Sequence, residues 1–201
     1  MPKIVDKDKK RQDIVEASLQ VFQSKGYQGT RIIDIAREAG IGKGTIYEYF
    51  NSKDEIILGV FEELFLDYEQ LLYTRAQSDR SPFEEIISSV ASAFEDLDDC
   101  SELIPVYFEL WSSRQLCENL GLRERMGKWF ERLSAAYTQL IEKGQRSREI
   151  SSEIEARAFA RTLVSAIDGI ILHYCLFKPD KVFFAQQKQE LERTLRRSLV
   201  P

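Results

Sequence analysis

The side chains best suited to chemistry lie between Thr30 and Lys53, in the stretch TRIIDIAREAGIGKGTIYEYFNSK. Lys43, Thr45, Tyr47 and Tyr49 alternate with Gly44, Ile46 and Glu48, and Lys53 follows shortly after. These groups donate hydrogen bonds or carry positive charge, yet no nucleophile stands beside a base. Their chemistry is recognition of a polyanion with readable edges. A lysine can donate to guanine O6 and N7 or to a phosphate. Thr45 offers a hydroxyl and a methyl, the latter suited to thymine, and Tyr47 and Tyr49 offer hydroxyls for phosphates and flat faces for sugars. Gly44 lets the backbone approach closely.

Such groups work only if a rigid element holds them outward. Ile32, Ile35, Ala36 and Ala39 recur at helical spacing, and the Thr30 hydroxyl is expected to cap their helix. Gly40 ends that helix and Gly42 opens the turn. A second helix is predicted from about Lys43 to Phe50, with Ile46 and Phe50 on its buried side. This is a helix-turn-helix pattern, whose second helix enters a DNA major groove. The amide end of its first helix, at Thr30 and Arg31, is suited to a phosphate, and Lys53 is expected to reach another.

Charge agrees with this placement. Residues 1–53 hold 10 Lys/Arg against 7 Asp/Glu, whereas the remainder holds 18 against 26. A basic head on an acidic body directs a polyanion to one end. Enzyme chemistry finds little support. The single histidine, His173, has no glutamate three residues before it, so a di-iron bundle fails, and no P-loop or Gly-x-Ser-x-Gly occurs. No metal or cofactor site is expected; the acidic run Asp96, Asp98, Asp99, Glu102 reads as a solvated loop. Three cysteines at no motif spacing, and a charged N-terminus with no apolar h-region, point to free thiols and a cytoplasmic location. No unbroken apolar run reaches membrane-spanning length, so no membrane partner is expected.

The rest of the chain reads as helices. The first runs from about Asp8 to Lys25, with Gly26 ending it. Later ones are predicted at about 53–75, 81–97, 101–113, 120–146, 153–177 and 180–199, started by capping signals at Ser52, Ser81, Ser152 and Asp180. The expected architecture is all-α with about nine helices: a helix-turn-helix DNA-binding domain over 1–52 and a larger helical regulatory and dimerisation domain over 53–201. The last two helices carry two apolar faces, which predicts a homodimer through about 153–177 and 180–199 as a four-helix bundle. Asp168, inside the apolar helix, needs a partner if buried: an arginine across the dimer or a cationic ligand.

Residues 10–60 resemble the TetR family of transcriptional regulators. The matching positions are Phe22-Gln-Ser-Lys-Gly26-Tyr27, Thr30, Asp34-Ile35-Ala36-x-x-Ala39-Gly40-Ile41 and Lys43-Gly44-Thr45-Ile46-Tyr47-x-Tyr49-Phe50-x-Ser52-Lys53. The chain departs from the family pattern at Arg31, commonly threonine, and at Ile33, frequently arginine. The resemblance implies a dimer that reads a near-palindromic operator, with Thr30, Arg31, Lys43, Gly44, Thr45, Tyr47, Tyr49 and Lys53 at the DNA. It further implies a repressor released by a small-molecule effector in the C-terminal domain; a ligand-independent regulator or an activator of the same fold is the alternative. Tyr107, Phe108, Trp111, Trp129, Phe130, Tyr137 and His173 are the candidate pocket wall for an effector of hydrophobic character.

Overall fold

The computed structural model describes residues 7–95, 97, 103, 104, 106, 112 and 114–201. The acidic run, most of the helix expected at 101–113 and the pocket candidates Tyr107, Phe108 and Trp111 lie outside the described residues. Among the described residues there are nine helices and no strand: α1 Lys7–Gly29, α2 Ile32–Glu38, α3 Lys43–Tyr47, α4 Lys53–Ala76, α5 Pro82–Ser92, α6 Arg114–Asn119, α7 Leu122–Arg146, α8 Ala156–Phe177 and α9 Lys181–Leu199.

The chain forms two compact units. One comprises the described residues of Met1–Phe65 and Asp98–Leu122, the other Leu66–Leu97 and Arg123–Pro201. The division falls inside α4, between Phe65 and Leu66, whereas the sequence suggested 52/53. Burial explains this. Ile56, Ile57, Leu58, Val60 and Phe61 are all buried, so the first half of α4 completes the core of the first unit. A Cβ added at Gly59 would stand 3.3 Å from Val15 Cγ2 and 3.4 Å from the Phe50 ring, which shows how closely α4 approaches α1.

In the first unit, Ile14, Val15, Ser18, Val21 and Phe22 bury one stripe of α1. The Ser18 hydroxyl is satisfied there by the Ile14 carbonyl at 2.6 Å. Regular helix is broken at Gly26, whose φ of 68° favours glycine. Gly40, at φ 63°, ends α2, and the Ile41 amide folds back to the Ala36 carbonyl at 2.9 Å. The second helix of the pair is shorter than the spacing suggested. Amides of Glu48 and Tyr49 bond three residues back, to Thr45 and Ile46, because the chain tightens before Ser52 starts α4. Ser52 Oγ accepts the Glu55 amide at 3.1 Å, and the Glu55 carboxylate takes the Asn51 amide at 2.8 Å.

In the second unit, Leu133, Ala136, Tyr137, Leu140 and Ile141 form the buried face of α7. Gly121, at φ 60°, separates α7 from the short α6, a stretch to which the sequence assigned no helix. The start of α8 is also later than expected: Glu155, not Ser152, is its cap, accepting the amides of Arg157 and Ala158. Asp180 caps α9 through the amides of Val182 and Phe183, at 3.0 and 2.9 Å. Arg196 of α9 binds both carboxylate oxygens of Glu84 on α5, at 2.9 and 3.2 Å. By length and composition α8 is long and apolar enough to cross a membrane, although no unbroken apolar run marks it in the sequence. Its face made of Ala156, Ala160, Leu163, Val164 and Ile167 is packed inside the second unit.

Candidate nucleic-acid interface

One turn of helix sorts the recognition residues. Ile46 and Phe50 are 0% and 1% exposed, and they anchor α3 to the unit beneath. Lys43, Gly44 and Tyr47 therefore stand outward, with Tyr47 49% exposed, while Thr45 and Tyr49 are half-buried. The Lys43 ammonium lies 5.8 Å from the centre of the Tyr47 ring, so cation and aromatic face share one side of the helix. Nothing lies within 4 Å of a Cβ built on Gly44. The fold itself thus makes no demand for glycine there.

On α2, Ile35 and Ala36 are fully buried, and Arg31, Ile33 and Arg37 are exposed. Ile33 is 45% exposed, a large apolar side chain left in water. The sequence pattern already excluded it from the 32/35/36/39 stripe, and that was the signal that it belongs to the outer surface. Asp34 sits among cations, with Lys25 Nζ at 2.8 Å and Arg37 at 4.0 Å. The hydrogen bond from Lys25, then that from the Arg31 amide, hold its carboxyl below the usual carboxylate range.

The junction before α2 differs from expectation. Thr30 is 2% exposed, and its hydroxyl donates to the Gly26 carbonyl at 2.7 Å, so it closes the end of α1 and does not cap α2. Its amide is also occupied, donating to Tyr27 O at 3.3 Å. Arg31 occupies the cap position of α2, and its amide is taken by Asp34 at 3.0 Å. The backbone phosphate cradle expected at these two residues is therefore filled from within. Arg31 keeps an exposed side chain. Lys53 is half-buried, with its ammonium 2.8 Å from the Tyr27 carbonyl and 3.2 Å from that of Thr30.

The effector candidates are dispersed. Tyr137 is fully buried and its hydroxyl lies 2.7 Å from that of Tyr68, which donates to the Ser89 carbonyl at 3.0 Å. With zero exposure, Tyr137 is closed in by its neighbours. Trp129 is buried with its ring edge-on to half-buried Phe130, centroids 4.9 Å apart. His173 is on the exposed side of α8, tilted onto Phe177 at 5.5 Å. A shallow depression of about 500 Å³ is lined by Glu155, Arg157, Ala158, Arg161, Thr162 and Ser165, none of them aromatic. Asp168 is partly buried, and desolvation pushes its carboxyl up to about 6.

Residues 14–60 match the model for bacterial regulatory proteins of the tetR family. The uncharacterized HTH-type transcriptional regulator YfiR of Bacillus subtilis is 27% identical over 176 residues, covering 87% of this chain and 84% of its own. The chain belongs to the TetR family. As a TetR-family protein it is a DNA-binding transcriptional regulator of the helix-turn-helix class, all-α in fold. Two solved structures share that fold. A TetR-family transcriptional regulator from Pectobacterium atrosepticum superposes with TM-score 0.73 at 16% identity, over 99% of this chain and 98% of its own. The regulator FadR of Bacillus subtilis, solved in complex with stearoyl-CoA, gives 0.70 at 19% identity, over 94% and 98%.

Proposed function

We propose that this TetR-family regulator is a repressor that binds a near-palindromic operator as a homodimer, with α3 of each subunit in a major groove. The observation that carries the reading is the division of residues 43–50 into a locked inner side, Ile46 and Phe50, and an outer side of Lys43, Gly44 and Tyr47. A lysine, a bare backbone and an aromatic on one exposed side match groove and phosphate chemistry. Thr45, Tyr49, Arg31 and Ile33 extend the contact surface.

The dimer is supported by α8 and α9. Ala158, Thr162 and Ser165 put small side chains on the exposed side of α8, so a second helix can come close. Leu176, Phe177, Val182 and Phe183 leave apolar surface exposed where α8 meets α9. A second copy of the chain would cover both, and half-sites one helical turn apart, about 34–36 Å, would then meet the two copies of α3. The apolar character of α8 suits this interface better than a bilayer, given Asp168 at its middle and Arg157 and Arg161 near its start.

For release, the favoured agent is a hydrophobic small molecule held by the second unit. It must bind the DNA-incompetent arrangement more tightly than the competent one. The stearoyl-CoA bound to FadR supports the class of ligand this fold accommodates. The closed packing around Tyr137 favours the second reading, a regulator that works without a ligand. Selection of bound sequences from a random duplex pool, followed by gel shift with a metabolite extract, tests both. An enriched palindrome released by extract supports the repressor; no enrichment refutes DNA reading.

A further inference from the structure

Lys53, the first residue of α4, is the cation that the sequence assigns to a phosphate, yet its surroundings describe another task. Its ammonium stands 2.8 Å from Tyr27 O and 3.2 Å from Thr30 O. It also lies 4.1 Å from the centre of the Tyr27 ring. Two of its three N–H donors are thus committed to backbone, and its charge rests on an aromatic face. The next residue repeats the link, because the Tyr27 hydroxyl donates to the Asp54 carboxylate. Tyr27 itself is only 8% exposed.

Both carbonyls belong to the four residues that carry the chain from α1 into α2. Gly26 breaks the helix at φ 68°, the Thr30 hydroxyl and amide turn back onto Gly26 and Tyr27, and Arg31 leaves in extended backbone. Carbonyls at the C-terminal end of α1 carry partial negative charge, and an ammonium is the group that stabilises them. Moving Lys53 to a phosphate would break both contacts and free the segment that aims α2, and with it α3.

We propose that Lys53 is a positioning residue for sequence readout: with Asp54 it clamps residues 27–30 to the start of α4 and fixes the helix-turn-helix in its reading orientation. This rests on the DNA-reading function proposed above, and deepens it.

The test measures the full-length protein against two duplexes of equal length, the sequence selected by the intact protein and an unrelated one, over a range of salt. Lys53→Met is expected to lower affinity for the selected duplex about tenfold, the size of one lost base contact. Affinity for the unrelated duplex and the slope of log K against log salt should stay as in the intact protein. Equal weakening on both duplexes, with a slope shallower by about 0.9, would make Lys53 a phosphate contact and overturn the proposal. Lys53→Arg decides the matter if the methionine variant fails to melt cooperatively. It keeps the charge, so a phosphate role predicts unchanged affinity, whereas the longer planar guanidinium does not reproduce one nitrogen between two carbonyls, and loss on the selected duplex is expected. If the intact protein selects no sequence at all, the DNA-reading function falls, and the proposal with it.

Discussion

The hydroxyls of Tyr68 and Tyr137 lie 2.7 Å apart, and Tyr68 passes its own proton to the Ser89 carbonyl. Tyr137 must then be the donor of the pair, since a neutral phenol has one proton to give. Burial pushes the Tyr68 phenol up to about 12 and that of Tyr137 well above its ordinary value. The protein is expected to keep the full stability of these neutral phenols below pH 10, the unfolded value, and to lose it as pH rises past 10 towards 12. Tyr137→Phe should cost about 1 kcal/mol at neutral pH and make the alkaline loss shallower. Urea midpoints across the alkaline range measure both.

Gly44 separates folding from function. With nothing within 4 Å of an added Cβ and no positive φ, Gly44→Ala fits the free protein. Stability should stay level or rise by up to about 1 kcal/mol, since alanine favours helix. Operator affinity should fall roughly tenfold, because the added methyl stands where the backbone must approach DNA. Thermal melts and gel shifts on the same preparation give the two numbers.

Lys43→Ala and Tyr47→Ala remove exposed side chains. Each should weaken operator binding by about 1–3 kcal/mol. Melting temperature and sedimentation should be nearly unchanged. A cooperative melt lost in either variant would return that residue to the core.

Asp168 is expected to cost stability at neutral pH. Desolvation raises its carboxyl from 3.8 to about 6, so the folded chain prefers the protonated form, and stability falls as pH rises between those values. Asp168→Asn should remove that decline and stabilise at pH 7 by on the order of 2 kcal/mol. The difference between variant and parent midpoints, taken at a series of pH values, isolates this group from carboxylates such as Asp34 and Glu84, whose lowered values act in the opposite sense.

Gly144 lies in the last turns of α7, against Ile150 of the segment that leads to α8. A Cβ there would stand 2.5 Å from Ile150 Cδ1, and Ile150 is 1% exposed. Gly144→Ala should therefore destabilise by about 1–3 kcal/mol, read as a lower denaturation midpoint with DNA contacts untouched.

What was legible in the chain was local. Gly26 and Gly40 announced their turns because a positive φ admits few other residues, and Ile35, Ala36, Ile46 and Phe50 declared their inward faces by spacing. Thr30 was not legible. A threonine before a helix can accept from the amides ahead or donate to the carbonyl four residues behind, and the choice depends on how α1 ends. The contacts of Lys53 were not legible for a different reason: its partners lie more than twenty residues back, and no local rule connects them. The α7 aromatics show a third limit. The spacing of Leu133, Tyr137, Leu140 and Ile141 gives a buried face, but whether an aromatic on it meets a void or another side chain is decided by neighbours such as Tyr68.

The placement of Ile56 through Phe61 in the core of the first unit has a practical side. A reading head excised at residue 52 would uncover Val15 and Phe50, which pack against α4 at Gly59, and such a fragment is expected to aggregate. A graft that gives this DNA specificity to another regulator has to carry the helix at least to Phe65 and make its splice in the exposed turn of helix that follows, at Leu66 and Asp67.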